Sequence, residues 1–113
     1  MTEIVIPPEM WIVGQPYSVA KVPGLLIKER NLGRTNPDFG QIQLEPALSP
    51  LRQTRVLLHE IIHCFCRELG WECRETPMLD EADVEALAGA FAGLLHEWGV
   101  TLDFSQVPEG NPL

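Results

Sequence analysis

The sequence predicts an α+β fold, with a small sheet in the first third of the chain and two helices after it. Region 1–46 has frequent Pro and Gly residues between short β-prone runs, which indicates three or four short, mostly antiparallel strands. After this region, apolar residues recur at the helical spacing of three and four positions. A chain of 113 residues can bury one modest core. We therefore expect one domain over 1–104 and a flexible tail over 105–113.

Four runs in the first third are the predicted strands, at residues 10–13, 17–19, 25–28 and 39–44. The last run, FGQIQL, alternates polar and apolar residues, as a strand with one buried face does. This run directly precedes the first helix. We therefore expect it at the edge of the sheet, where its backbone could pair with an extended peptide.

Two helices are predicted, over residues 50–69 and 80–98. Ser49 and Asp80 are suitable N-caps, Pro50 suits the first helical position, and Gly70 and Gly99 end the helices. Each helix is expected to pack inward through its apolar stripe. The stripes are Leu51, Leu58, Ile62, Phe65 and Leu69 in the first helix, and Val84, Leu87, Ala88, Phe91, Leu94, Leu95 and Trp98 in the second.

Composition excludes several classes of function. The formal net charge is −8, and the 8 basic residues are scattered rather than clustered, so a nucleic-acid partner is not expected. No apolar run approaches the ~20 residues that cross a bilayer. The N-terminus lacks the basic region of a secretory signal, and three clustered cysteines do not suggest a disulfide framework. We expect a cytoplasmic protein with reduced, half-buried thiols.

The motif that carries chemistry is His59-Glu60-Ile61-Ile62-His63, an HExxH sequence within the first predicted helix. Residues four apart lie one above the other on a helix, so both imidazoles can bind one metal ion. Glu60 is rotated by about 100° from His59, where its carboxylate can take a proton from a water on that metal. The composition predicts roughly 0.01 chance occurrences of this motif. The sequence therefore predicts a Zn²⁺ site with Glu60 as general base; the alternative is two surface histidines without a metal.

A catalytic zinc site needs a third protein ligand and an open fourth position. Glu81 and Glu85 are the candidates, one turn apart on the second helix. Glu81 is nearer to the apolar stripe and is the predicted ligand. Glu85 is expected to accept a hydrogen bond from the far nitrogen of a ligating histidine, and it remains the alternative ligand. Both could also be ordinary solvated charges near a helix N-terminus.

Three other residues are weaker candidates. Cys66 lies close to His63 on the helix and could approach the metal, but free cysteines are more often buried in a core. His96 falls away from the apolar stripe and is expected at the surface. Tyr17 could donate to an oxyanion, with packing in the core or at its rim as the default.

The segments LLHEIIH (57–63) and LDEADVEALAGAFAGLL (79–95) resemble the small zincin-like metallopeptidases encoded by bacteriophages and prophages. These are distant relatives of the ImmA/IrrE and gluzincin-type peptidases. The resemblance implies a minimal zincin fold and zinc-dependent hydrolysis of a peptide or protein. Gluzincins take a third ligand from the following helix, which implies Glu81. An alignment with the ImmA/IrrE pattern implies Glu85 instead, with Gly89 where those relatives carry Asn or Asp.

Three rival interpretations remain. The chain could be a non-catalytic, metal-containing regulatory or protein-binding module of phage origin. It could also be an interaction protein without a metal, or a zinc hydrolase that acts on a small amide. Glu60 favours an enzyme over a structural zinc site, because such a site needs a fourth protein ligand and no base.

Overall fold

The computed structural model describes residues 2–25, 33–36, 40–73, 75 and 78–110. The predicted α+β class and the two helices are confirmed, and the sheets are mixed. No helix within the described ranges is long and apolar enough to cross a bilayer. The elements in chain order are β1 (Thr2–Val5), β2 (Glu9–Ile12), β3 (Gln15–Lys21), β4 (Gly33–Asn36), β5 (Gln41–Leu44), α1 (Pro50–Glu68), a 3-10 turn (Trp71–Cys73), α2 (Glu81–Glu97) and β6 (Val100–Asp103).

The larger sheet has the strand order β2-β3-β5-β4. Its central pairing, β3 with β5, is parallel, and the pairings on either side are antiparallel. This order corrects the expectation that residues 39–44 form the edge, because β5 lies inside the sheet and β4 is at its border. The predicted strands at 10–13 and 17–19 correspond to β2 and β3. Residues 26–28 of the run predicted at 25–28 lie outside the described residues.

The two ends of the chain meet in a second, two-stranded sheet. β1 pairs in parallel with β6, and the amide of Ile6 donates to the carbonyl of Asp103 at 2.9 Å. The segment expected to be a frayed tail also packs against the domain as far as Gly110. Val107 is 4% exposed, and Lys21 of β3 exchanges backbone hydrogen bonds with Pro108 and Gly110. The domain therefore extends beyond residue 104, because a buried side chain and a backbone pairing hold this segment.

Local sequence signals set the ends of both helices. The Ser49 hydroxyl accepts from the amide of Arg52, and Pro50 occupies the first turn of α1. Asp80 and Asp83 form a reciprocal capping box at the start of α2. Gly70 and Gly99 follow the helices with φ of 73° and 71°, a left-handed conformation that favours glycine. The predicted helices agree with α1 and α2 to within one residue at each end.

The buried faces of α1 differ from the predicted stripe. Leu57 and Cys64 are each 1% exposed and pack in the main core with the sheet. Ile62 packs in a second core with α2. The side chains of Leu51, Phe65 and Leu69, which were expected to be inward, are 41–51% exposed. The helix therefore buries two narrow faces, one toward the sheet and one toward α2.

α2 buries its small side chains instead of its large ones. Val84, Ala88 and Ala92 are at most 4% exposed, and the first two pack with Ile62 and Cys66 of α1. Small side chains allow two helices to approach closely, and the buried face is rotated by about 70° from the predicted stripe. Most of its larger apolar side chains are exposed: Leu87, Phe91 and Leu94, with Trp98 directly after the helix.

Candidate metal centre and cleft

The two histidines of the HExxH motif converge on α1. His59 and His63 lie one turn apart, with ring centroids separated by 4.8 Å. Their Nε2 atoms are 3.1 Å from each other. The side chains are 15% and 30% exposed, so both rings are supported by neighbours and accessible from one side. The spacing of the motif thus has the predicted geometric result.

Glu81, the first residue of α2, is the third residue of this group and lies against both histidines. Its Oε1 lies 2.7 Å from Nε2 of His59 and its Oε2 lies 3.0 Å from Nε2 of His63. Glu81 is 70% exposed, so α2 contributes the solvent-facing member of the group. The predicted ligand and the two histidines are therefore brought together by the packing of α1 against α2.

The three donor groups are somewhat closer together than the ligands of a zinc ion. Tetrahedral ligands at about 2.0–2.1 Å from zinc are separated from each other by roughly 3.3 Å. The observed separations are 2.7, 3.0 and 3.1 Å. A proton can be shared in a hydrogen bond between only two of these groups, whereas one metal cation can interact favourably with all three. His59, His63 and Glu81 could thus hold a metal ion.

Glu85 occupies the supporting position expected for it. Its Oε2 accepts a hydrogen bond from Nδ1 of His59 at 2.7 Å, and its Oε1 pairs with the Arg55 guanidinium at 2.7 Å. Partial burial alone raises the pKa of Glu85, but the contacts with His59 and Arg55 outweigh it and lower the pKa. An ionised Glu85 keeps the proton of His59 on Nδ1 and leaves Nε2 available to a metal.

Glu60 points to the other side of the histidines, toward the edge of the sheet. It is 7% exposed, and its Oε1 accepts a hydrogen bond from the Thr35 hydroxyl at 3.0 Å. Burial raises the pKa of Glu60 above its usual value, although Thr35 and the nearby histidines act in the opposite direction. A carboxylate with a raised pKa holds a proton more strongly than an exposed one, which suits a group that accepts and returns a proton.

Sequence reasoning missed β4, which supplies Thr35 and Gly33. A Cβ atom at Gly33 would lie 2.5 Å from a methyl group of Val56, so glycine lets the strand approach α1. Thr35 lies two residues further on the same face, opposite Glu60. The only sequence signal was a β-branched residue two positions after a glycine, which is too common to single out a site.

The three weaker candidates do not belong to the group formed by His59, His63 and Glu81. Cys66 is buried between the helices, and Cys64 and Cys66 are free thiols, as expected. Tyr17 is 2% exposed, and its hydroxyl donates to Glu68 at 2.7 Å, which identifies it as a core residue. His96 is exposed as predicted, but it also lines the cleft described next.

A cleft of about 690 Å³ begins at the metal group and runs between α1 and α2. His59, Glu60, Glu81 and Glu85 line one end, with Gly33 of β4 beside them. The floor on α2 consists of small residues. The rest of the cleft is lined by Arg55, which pairs with Glu85, and by Leu51, Arg52, Gly89, Ala92, Gly93 and His96.

Comparisons of the chain with protein-family models, with curated proteins and with solved structures gave no match.

Proposed function

We propose that this protein is a zinc-dependent hydrolase of the metallopeptidase type, acting on a peptide or protein substrate. The observation that carries the proposal is the convergence of His59, His63 and Glu81 beside the buried carboxylate of Glu60. Three donors leave a coordination position for water or substrate, which is typical of catalytic rather than structural zinc sites. The open cleft gives a substrate access to this position.

In this proposal His59, His63 and Glu81 hold Zn²⁺. The metal supplies two effects when bound: it lowers the pKa of a coordinated water and it polarises a carbonyl group. Glu60 accepts the proton of the attacking water and then passes it to the leaving amine. Thr35 holds the Glu60 carboxylate in place through its hydroxyl group. Glu85 orients His59, and Arg55 in turn orients Glu85.

We infer that the fold is a minimal zincin-like one. Three features support this: the HExxH motif on α1, a glutamate from the next helix, and a sheet edge beside the motif. A cytoplasmic location is part of the same proposal, since the free thiols of Cys64 and Cys66 suit a reducing compartment. The scattered basic residues argue against a nucleic-acid substrate.

The test combines metal analysis with turnover of a library of quenched fluorescent peptides. Purified protein is expected to bind one zinc per chain and to cleave a subset of the peptides. Glu60→Gln preserves the shape of the side chain but removes the base, so zinc should be retained while kcat falls by about 10² to 10⁴. Glu97→Gln, at the exposed end of α2 and outside the cleft, is the matched control and should behave as the unmodified protein.

The outcomes distinguish the rival functions. Stoichiometric zinc without turnover of any peptide would indicate a non-catalytic, metal-containing module. A protein that binds no zinc when the ion is in excess would be an interaction protein without a metal, and the proposal would be wrong. Turnover that Glu60→Gln does not reduce would remove the assigned base.

A further inference from the structure

We propose that the cleft selects peptides with a carboxylate one to three residues from the scissile bond, and that Arg52 and Arg55 bind this group. This inference rests on the proposed function, because it names the substrate class of the same site. It goes beyond that function in assigning a subsite that the metal group does not include.

The charges in the cleft are partly separated along its length. Its acidic residues, Glu60, Glu81 and Glu85, lie at or next to the two histidines. Arg55 reaches this acidic group through its 2.7 Å ion pair with Glu85, and Arg52 lies three residues farther from His59 along α1. The protein as a whole carries a formal charge of −8. Two arginines on one face of a cleft in such an acidic chain are therefore a local departure that favours an anionic group.

Arg55 is half-exposed and has donors left for a second carboxylate. Its side chain is 51% exposed, and its ion pair with Glu85 involves Nη2. A guanidinium has five N–H donors in a planar fork, so others remain for a second carboxylate. Its position depends on Gly89 of α2, where a Cβ atom would lie 3.3 Å from Cζ and Nη2 of Arg55. The missing side chain at Gly89 therefore leaves room for the guanidinium over the helix.

Arg52 completes the subsite. It lies three residues before Arg55 on the same face of α1, and it forms no ion pair with any residue that the structure describes. Across the cleft, a Cβ atom on Gly93 would meet no atom within 4 Å, so the floor is open at this point. A substrate carboxylate has space to enter here, and it can interact with Arg52, which no described side chain neutralises through an ion pair.

The distance along α1 sets the position of the carboxylate in the substrate. Arg55 and Arg52 precede His59 by four and seven residues, which is about 6 and 10 Å along the helix axis. An extended peptide advances roughly 3.3 Å per residue. The carboxylate is therefore one to three residues from the bond that is cleaved. It belongs either to an acidic side chain or to the C-terminus of the peptide.

The experiment compares matched peptides that differ only in this carboxylate. One pair has Glu or Gln near the scissile bond, with an amidated C-terminus. The other pair has Gln at this position in both peptides, and its two members differ only in having a free or an amidated C-terminus. In one of the two pairs, we expect kcat/KM to be roughly fivefold higher for the peptide with the extra carboxylate than for its neutral counterpart. This difference should shrink at high salt. The pair that shows the difference identifies the source of the carboxylate.

Variants of the two arginines test whether these residues cause the preference for peptides with a carboxylate. Arg52→Gln should reduce the preference toward one, measured as the ratio of kcat/KM for the acidic peptide to kcat/KM for its neutral counterpart. Lys21→Gln removes one positive charge on β3, outside the cleft, and should retain the full preference. Arg55→Gln should lower both the preference and the turnover, because Glu85 then loses its partner.

A binding measurement separates the failure of this inference from the failure of the proposed function. Fluorescence anisotropy with labelled acidic and neutral peptides is measured on the Glu60→Gln protein, with and without zinc. Tighter binding of the acidic peptide supports the subsite even if no peptide is cleaved. Equal binding and equal turnover of acidic and neutral peptides overturn it, whether or not the protein proves to be a hydrolase.

Discussion

The two helices contribute to the site in different ways. α1 holds His59, Glu60 and His63 with side chains that are at most 30% exposed, and it packs against both the sheet and α2. α2 contributes Glu81 and Glu85, which are 70% and 49% exposed, and it buries only small residues. The motif helix is thus supported by the sheet and by α2, whereas the second helix packs on α1 through small side chains and also contacts β6.

This difference shows which property decides how a helix packs. In α2 the large apolar residues are exposed, and Ala88 at the contact with α1 is completely buried. A close helix–helix contact requires small side chains, so size selects the buried face more strongly than hydropathy does here. The same close contact brings the carboxylate of Glu81 within reach of the histidines.

The largest effect is expected for a ligand on the rigid helix. His63→Ala removes one of two imidazoles that are already preorganised, so zinc content should fall from about one per chain to near zero. Hydrolysis should be lost with the metal. Metal analysis after dialysis checks this result, with His96→Ala as the control that changes a histidine outside the metal group. Retention of stoichiometric zinc by His63→Ala would contradict the ligand assignment.

The packing of the two helices can be compared through stability. Leu57→Ala removes a side chain that is 1% exposed between α1 and the sheet. It should lower the free energy of unfolding by about 2–5 kcal/mol. Phe91→Ala removes a larger side chain from α2, but one that is 47% exposed, and should cost less than about 1 kcal/mol. Urea denaturation measures both, and a greater cost for Phe91→Ala would mean that the outer face of α2 is covered.

The two glutamates of α2 contact different nitrogens of His59: Glu81 lies against Nε2 and Glu85 against Nδ1. Glu81→Gln replaces one of the two carboxylate oxygens that face the Nε2 atoms of His59 and His63, and it removes the negative charge. It should weaken zinc binding by more than 100-fold, on the order of the loss of a ligand. Glu85→Gln changes only the partner of Nδ1 and should weaken it by about 10–100-fold. Zinc titration against a competing chelator ranks the two variants. The reverse ranking would favour Glu85 as the ligand.

The smallest effect on kcat is expected for Thr35, which contacts the proposed general base, Glu60. Thr35→Val removes the hydroxyl that donates to Glu60 but keeps the branched shape, so zinc should be retained and kcat should fall by roughly three- to tenfold. This hydrogen bond lowers the pKa of Glu60, and its loss raises that pKa further. Because Glu60 must be ionised to accept a proton, the acidic limb of the pH profile should move to higher pH. Thr35→Ser keeps the donor and should restore the original limb.

Much of the local structure could be predicted because its causes lie within a few residues. The N-caps at Ser49 and Asp80 and the glycines after each helix act through neighbouring backbone groups. The order of the strands could not be predicted in the same way. β5 pairs with β4, which directly precedes it, but its place inside the sheet comes from the pairing with β3, which is more distant along the chain. The alternation in FGQIQL does not specify an edge or a centre.

The sequence by itself determined that His59 and His63 share one side of a helix and that Glu60 is turned away from it, because helical geometry makes this a local property. The tertiary structure decided which glutamate faces both Nε2 atoms, which hydroxyl holds Glu60, and that Arg52 and Arg55 share the cleft with the metal group. These depend on how closely α1, α2 and β4 approach. That approach is set by the sizes of Gly33, Ala88 and Gly89 in contacts that no local pattern encodes.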